Sequence, residues 1–451
     1  MKFFPPPVEI AEDEGFAPQK DLFQRAPFGD GLTNLVTVAE DPLVIMLDSA
    51  WGTGKTTFIK MWAGQLRNAG FPVIYFDAFE NDHVDNGFLA ITAEVLRFSQ
   101  SKKNTNATAH KKFLRSAARA GGVLLRTGAR IGVKAATLGA IDATDLDALK
   151  SVADDIAKEA STKADEYIEV VLRLQSQEKE ALTALRAALV DLAKSLSSQT
   201  GEGSTPKPLI FIIDELDRCR PSFALELLER IKHIFSIKNV HFVLAAHLDQ
   251  LENSVRFNYG EGLDARTYLE KFYNIIAHFP DSSRSVRDKV SNKYISYLVD
   301  KMSLQPGDLT ILNKVAEARS LSFRTIERVV TCISLARQFT PKNHLWLQPI
   351  VSGLCVMKML DTSLFNRARA GTLTIDDVRT ALSLDNWADG SKENDWMMEW
   401  WIYCVAENEA DYPKFDWKGC RQSLAQYSIR DRRDLVRIMA SYLDRFRLPT
   451  Q

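Results

Sequence analysis

"SAWGTGKTT", residues 49–57, lies directly behind the apolar run "PLVIMLD" of residues 42–48 and ahead of "FIKMWAGQL" at 58–66. A glycine-bearing turn from strand to helix aims backbone N–H groups at a phosphate, with the positive end of a helix behind them. Gly52 and Gly54 keep side chains out of the way, Lys55 would reach the β- and γ-phosphates, and Thr56 would set its hydroxyl on Mg²⁺. The strict spacing G-x-x-x-x-G-K-[ST] puts its first glycine at Ser49, so the pattern is missed by one residue. Serine can end the strand there if its φ stays negative, whereas Gly54, beside the phosphates, is much harder to replace. Taken alone, the stretch is either a phosphate loop or an ordinary glycine-containing turn.

A second stretch favours the phosphate loop. "LIFIIDELD", residues 209–217, is an apolar strand ending in carboxylates, where Asp214 would hold the metal and Glu215 would polarise water. With both motifs present in the right order on separate strands, the reading is an ATP site with Mg²⁺. Trp51, Gly52, Thr53, Gly54, Lys55, Thr56 and Thr57 form the nucleotide loop. The Asn-Lys pairs "NKYI" (292–295) and "NKVA" (313–316) lack the aspartate of a guanine-selecting N-K-x-D loop, so ATP is the expected nucleotide.

Four apolar, β-branched runs, at 42–48, 71–79, 208–214 and 240–246, alternate with helical patterns, which predicts an α/β fold with a parallel sheet flanked by helices. The expected organisation is a lead-in and first half of the core over 1–100, a helical insertion over 101–205, the second half of the core over 206–280, and a helical lid and C-terminal region over 281–451. In the insertion, Leu149, Ile156, Ile168, Val171, Leu174, Leu182, Leu185, Leu189, Leu192 and Leu196 recur at steps of mostly three or four, which predicts a coiled-coil-like arm projecting from the sheet.

From Lys102 to Lys134 there are nine Lys/Arg and no acid, and Arg115, Arg119, Arg126, Arg130 and Lys134 share about 100° of a helix. Two readings stay open: contact with nucleic acid or an anionic membrane surface, or pairing within the chain, since residues 142–169 hold nine acids against three lysines. Gly121, Gly122, Gly128, Gly132 and Gly139 would each weaken a free helix by roughly 1 kcal/mol, which close packing against another helix would explain. The tail "DWMMEWWIYCV" is core or a partner anchor.

A chain of 451 residues with 45% apolar and 25% charged residues can bury a core and exceeds what one core usually serves. A formal charge of −1 sets up no global field toward nucleic acid or membranes. The five cysteines lack C-x-x-C spacing and read as reduced thiols in a cytoplasmic setting. "MKFFPPPVEIAEDEG" is unlike a signal peptide, and no run approaches eighteen uninterrupted apolar residues, so no transmembrane segment is expected.

These residues resemble the KAP family of P-loop NTPases, a branch related to the AAA+ and STAND ATPases. The likeness lies in "WGTGKTTF", "FDAFEND", "IIDELDRCRPSFALELLERIKHIF", "VHFVLAAHLDQLENSV" and "YGEGLDARTYLEKFYN", over about residues 20–100 and 205–335. Many members carry two aspartates where this chain has Asp214 and Glu215, a departure that suits a hydrolytic base. The resemblance implies a sensor position at His247, with Asp249 behind it, although a plain strand-end histidine reads equally well. It also implies a lid arginine, for which Arg324 is the candidate with Arg328 one turn on; for a cation completing a neighbour's site, Arg256 and Arg266 are candidates, with Lys271 a weaker one. The expected function is ATP hydrolysis driving rearrangement or assembly with other protein subunits and with copies of the chain itself; since KAP proteins include phage-exclusion and defence factors, the resemblance points to bacterial anti-phage defence. The alternatives are a nucleotide-gated scaffold with little hydrolysis, and an ATPase acting on nucleic acid through the basic stripe.

Overall fold

The four apolar runs pair into one sheet. Strands Val44–Asp48 (β1), Val73–Asp77 (β2), Leu209–Asp214 (β3), Val240–Ala246 (β4) and Ile275–His278 (β5) lie in the order β2-β3-β4-β1-β5, and every pairing is parallel. The computed structural model describes the chain apart from residues 1–2, 7, 85, 103–105, 128–163, 198–206, 281–283, 341–345, 388–391, 413–414, 416, 427–428, 430 and 449–451. β5 is the strand that the sequence pattern does not announce: it has four residues on a sheet edge and only partial burial, too short for a period to register.

The helices are Ala26–Val38 (α1), Lys55–Asn68 (α2), Gly87–Ser101 (α3), Ala107–Thr127 (α4), Ala164–Ser197 (α5), Pro221–Arg230 (α6), Leu248–Tyr259 (α7) and Ala265–Leu269 (α8). Beyond β5 they continue as Arg284–Met302 (α9), Thr310–Arg319 (α10), Phe323–Phe339 (α11), Gln348–Leu360 (α12), Thr362–Ala370 (α13), Ile375–Leu382 (α14), Lys392–Val405 (α15), Lys418–Gln426 (α16) and Arg432–Leu443 (α17).

Side chains alternate across the sheet because a strand's period is two. Met46, Phe76, Phe211, Ile213, Phe242 and Leu244 face one core, where the rings of Phe211 and Phe242 stack at 5.2 Å. Ile45, Leu47, Ile210, Ile212 and Val243 face the other, against Leu32 and Val36 of α1 and Phe58 and Trp62 of α2. Burial on both faces is why these strands read as continuous apolar runs rather than alternating ones. The register sets Asp48 level with Ala246 and His278, and Asp214 level with Asp77 and Ala245, so polar groups gather along the carboxyl edge of the sheet.

The described part of the insertion does not stand away from the sheet as a separate arm. α4 and α5 run antiparallel, tied by Lys112–Asp191 at 2.7 Å and Arg119–Glu180 at 3.7 Å. Their apolar faces, including Phe113, Ala117, Ala120, Leu185, Leu189 and Leu192, join the core of the first sheet face. From Leu182 to Leu196 the leucine spacing therefore comes from packing onto the main core. A Cβ on Gly121 would lie 3.4 Å from the ring of Phe88 in α3, the close helix approach its glycine permits. Leu149, Ile156, Arg130, Lys134, Gly128, Gly132 and Gly139 lie outside the described residues, as do the side chains of Arg126, Ile168, Val171 and Leu174. Of the basic stripe, Arg115 and Arg119 are exposed, and Arg119 is paired within the chain.

The C-terminal helices bury a core of their own. Trp387, Trp400 and Trp401 lie in it, and only Trp396 of that cluster is exposed, at 42%. No helix among the described residues is long and apolar enough to cross a membrane.

Candidate active site

β1 ends at Asp48 and the chain turns at once. Gly52 takes φ +74° and Gly54 φ +83°, left-handed backbone that costs an L-residue roughly 1–2 kcal/mol. Space forbids side chains as well: a Cβ on Gly52 would lie 2.6 Å from Cβ of Arg324, and one on Gly54 3.0 Å from the ring of Phe23. Ser49 is not among the residues with positive φ. Its N–H donates to the Ala246 carbonyl at 3.2 Å, and its Oγ lies 2.7 Å from Thr53 Oγ1, which donates to the Ala50 carbonyl at 2.9 Å. Serine thus closes the turn with a side-chain bond that glycine lacks.

Lys55, the first residue of α2, is buried, and its amine donates to the carbonyls of Ser49 and, at 3.3 Å, Ala50. Burial lowers its pKa, while Asp217, Asp214 and Asp48 act in the opposite direction.

Across the cleft, β3 delivers Asp214, which is 1% exposed. It accepts from the hydroxyl of Tyr75 at 3.1 Å and from the Glu215 N–H at 2.9 Å. Burial raises its pKa, and bonds from Thr56, Tyr75 and the Glu215 amide partly offset that. Among the described residues no lysine or arginine ion-pairs with it. A buried carboxylate of this kind is costly without a cation, and with the Thr56 hydroxyl it forms the hard oxygen set that suits Mg²⁺. The residues present fit that ion.

Glu215 follows in left-handed conformation, φ +60°, which is uncommon for a non-glycine residue. Its Oε1 accepts from the Thr56 hydroxyl at 3.2 Å, and its Oε2 is ion-paired with Arg218. Burial raises its pKa, and Arg218 is the largest influence pulling it down. Trp51 donates from Nε1 to Asp217 at 2.5 Å.

Trp51, Gly52, Gly54, Lys55, Thr56, Thr57, Asp214, Glu215 and Arg324 line one cleft of about 510 Å³. One wall of it is apolar, built by Leu22, Phe23, Tyr294 and Phe323, with the rings of Phe23 and Phe323 4.3 Å apart and those of Tyr294 and Phe323 5.1 Å apart.

Residues 25–339 match the KAP family P-loop domain. The chain belongs to the KAP family. No curated protein sequence matches it. Among solved structures, a similar chain is the ORC2 protein of Aeropyrum pernix in ADPNP–ADP complexes, 12% identical over 98% of this chain and 97% of that one, with a TM-score of 0.33.

Not every expected residue of the KAP domain reaches the cleft. Thr53 turns its hydroxyl into the loop and offers its carbonyl to Arg25 at 2.9 Å. His247, at the end of β4, lies behind the loop, edge-on to Trp51 at 5.9 Å, with Nε2 3.5 Å from Asp249 and a buried Nδ1 that has no hydrogen-bond partner. Arg256 and Arg266 share the carboxylate of Glu252 at 2.9 and 3.0 Å, Lys271 lies over the ring of Tyr268, and none of the three lines the cleft. Arg328 does not line it either.

Several residues in or around the cleft have no motif position of their own. Tyr75 steadies Asp214, and Asp217 steadies Trp51. Arg25 leans on the loop from α1, with its guanidinium 3.5 Å from the centre of the Phe279 ring and its pKa brought down to about 10 by burial. Asp217 closes the acidic strand end 209–217 and Arg218 follows it directly, so the signal was present in the sequence, without a role attached to it. Tyr75 and Arg25 gave none, because only the pairing of β2 with β3 and the packing of α1 bring them in.

Proposed function

We propose that the KAP domain binds ATP with Mg²⁺ in this cleft and hydrolyses it. One observation carries the reading: the loop after β1 and the acid pair ending β3 meet over the carboxyl edge of the sheet, with Thr56 Oγ1 3.2 Å from Glu215 Oε1. That edge is where open parallel sheets take ligands. The loop amides around Gly52 and Gly54 and the Lys55 amine hold the phosphates, and the apolar wall of Phe23, Tyr294 and Phe323 takes the adenine. Thr56 and Asp214 would hold Mg²⁺, which supplies positive charge to the phosphate oxygens. Glu215 takes a proton from water as the water oxygen bonds to the γ-phosphorus; the bond to the bridging oxygen breaks and its electron pair leaves with ADP. Arg324, whose Cβ packs against Gly52, brings lid charge toward the developing phosphate.

The nucleotide cycle would shift α11 and the rest of the lid against the sheet, which suits work or a switch within a complex of other subunits and further copies of the chain. Anti-phage defence in the bacterial cytoplasm is the setting that KAP membership favours. A nucleotide-gated scaffold is the second reading, and the hold of Arg218 on Glu215 favours it. Phosphate release by wild type and Glu215→Gln tests the choice. The ATPase reading expects Glu215→Gln to lose roughly 100-fold or more of turnover with ATP affinity kept. Equal, near-zero turnover in both proteins with ATP still bound gives the scaffold.

A further inference from the structure

Arg218 lines the cleft, yet the hydrolytic scheme gives it nothing to do. It closes the 3₁₀ turn Leu216–Arg218 that Glu215 opens, so the backbone sets its side chain within reach of Glu215. The two oxygens of Glu215 are divided: Oε1 accepts from Thr56, the hydroxyl assigned to the metal, and Oε2 pairs with Arg218. The guanidinium therefore sits one carboxylate away from the metal position, in the same cleft as Lys55 and Arg324. Its side chain is 38% exposed, so it can swing without breaking core packing.

Two features make this pairing a poor resting place for a base. A carboxylate that must meet water is less accessible with a guanidinium on one oxygen. A terminal phosphate, meanwhile, offers the guanidinium fork two acceptor oxygens and more charge than a single carboxylate oxygen does.

We propose that Arg218 is the group that reads the γ-phosphate, acting within its own chain: it rests on Glu215 when the cleft holds no nucleotide or a diphosphate, and a triphosphate draws it away and leaves Glu215 to face water. The inference rests on the ATP-site reading above and deepens it. The base would then be released only by the substrate that needs it.

Calorimetric binding of Mg²⁺ with ADP and with the non-hydrolysable analogue ADPNP tests this without any turnover. Wild type should prefer the triphosphate. Arg218→Ala should keep its ADP affinity and lose about 10- to 100-fold of that preference, the size of one charge-assisted contact. Arg218→Lys, which keeps the charge without the fork, should recover part of it. Circular dichroism confirms folding, and if Arg218→Ala does not fold, the reduced preference of Arg218→Lys carries the test. An unchanged triphosphate-to-diphosphate ratio in the folded variants overturns the inference. Lys55→Ala separates the two levels: if it abolishes uptake while the Arg218 variants keep the wild-type ratio, the ATP site stands and only the role of Arg218 falls. If Lys55→Ala leaves uptake untouched, both fall.

Discussion

Ser49 and Gly54 sit five residues apart in one turn and tolerate change very differently. Ser49 has no positive φ and contributes a hydroxyl bond to Thr53, so Ser49→Gly should cost about 1 kcal/mol of stability for the lost bond and the added backbone freedom. Its ATP affinity should stay within roughly threefold of wild type, since this hydroxyl bonds within the turn. Gly54→Ala combines a left-handed φ of +83° with a Cβ 3.0 Å from Phe23 and should lose most nucleotide binding; chemical denaturation and calorimetry on the pair measure both expectations. A second residue-scale expectation concerns His241, buried in β4, where it accepts from the Leu43 N–H at 3.1 Å and leaves Nε2 without a partner. Burial holds its pKa down to about 4, below the ordinary value of 6.5. Between those values the unfolded chain binds the proton and the folded chain does not, so stability falls as pH drops from about 6.5 toward 4. His241→Gln keeps an acceptor without a titrating ring, and its denaturation midpoint should fall less over that window than that of wild type.

At the scale of elements, what the sequence made legible follows the length and period of each segment. β1 to β4 announced themselves because burial on both faces makes a strand uniformly apolar, and the loop and acid pair followed from their places at strand ends. β5 carries no such signal in four edge residues, three of them half-buried and His278 exposed. The helical insertion was legible as helix, but not in its placement: a leucine stripe at helical spacing serves a free coiled coil and a helix laid on a sheet equally well. Arg25 and Tyr75 were beyond reach for a related reason, since their importance lies in partners supplied by other elements. The packing of α4 and α5 makes a clear contrast. Leu185→Ala, at a fully buried position, should cost about 2–5 kcal/mol in the chemical denaturation of the whole chain. Arg119→Ala, whose partner Glu180 is as exposed as it is, should cost less than about 1 kcal/mol. Equal, small costs would mean that the insertion is not part of the main core.

On the scale of the whole molecule, the cleft is closed from three directions. The sheet contributes the loop and the acid pair, the lead-in contributes Phe23, and the lid contributes Tyr294, Phe323 and Arg324. Because the lid meets the loop through the Arg324 Cβ at Gly52, a change in what the loop holds would bear directly on the helical part of the chain. This is the physical basis for expecting the nucleotide state to be read out as rearrangement. The account stands on nucleotide uptake by the loop, and calorimetric titration of wild type and Lys55→Ala with Mg²⁺ and ATP measures it most directly. Wild type should take up ATP at one site, and loss of the Lys55 amine should weaken uptake by roughly 100-fold, the worth of a strong charge-assisted contact. Absence of uptake by the intact wild-type chain, or equal uptake by Lys55→Ala, would contradict it.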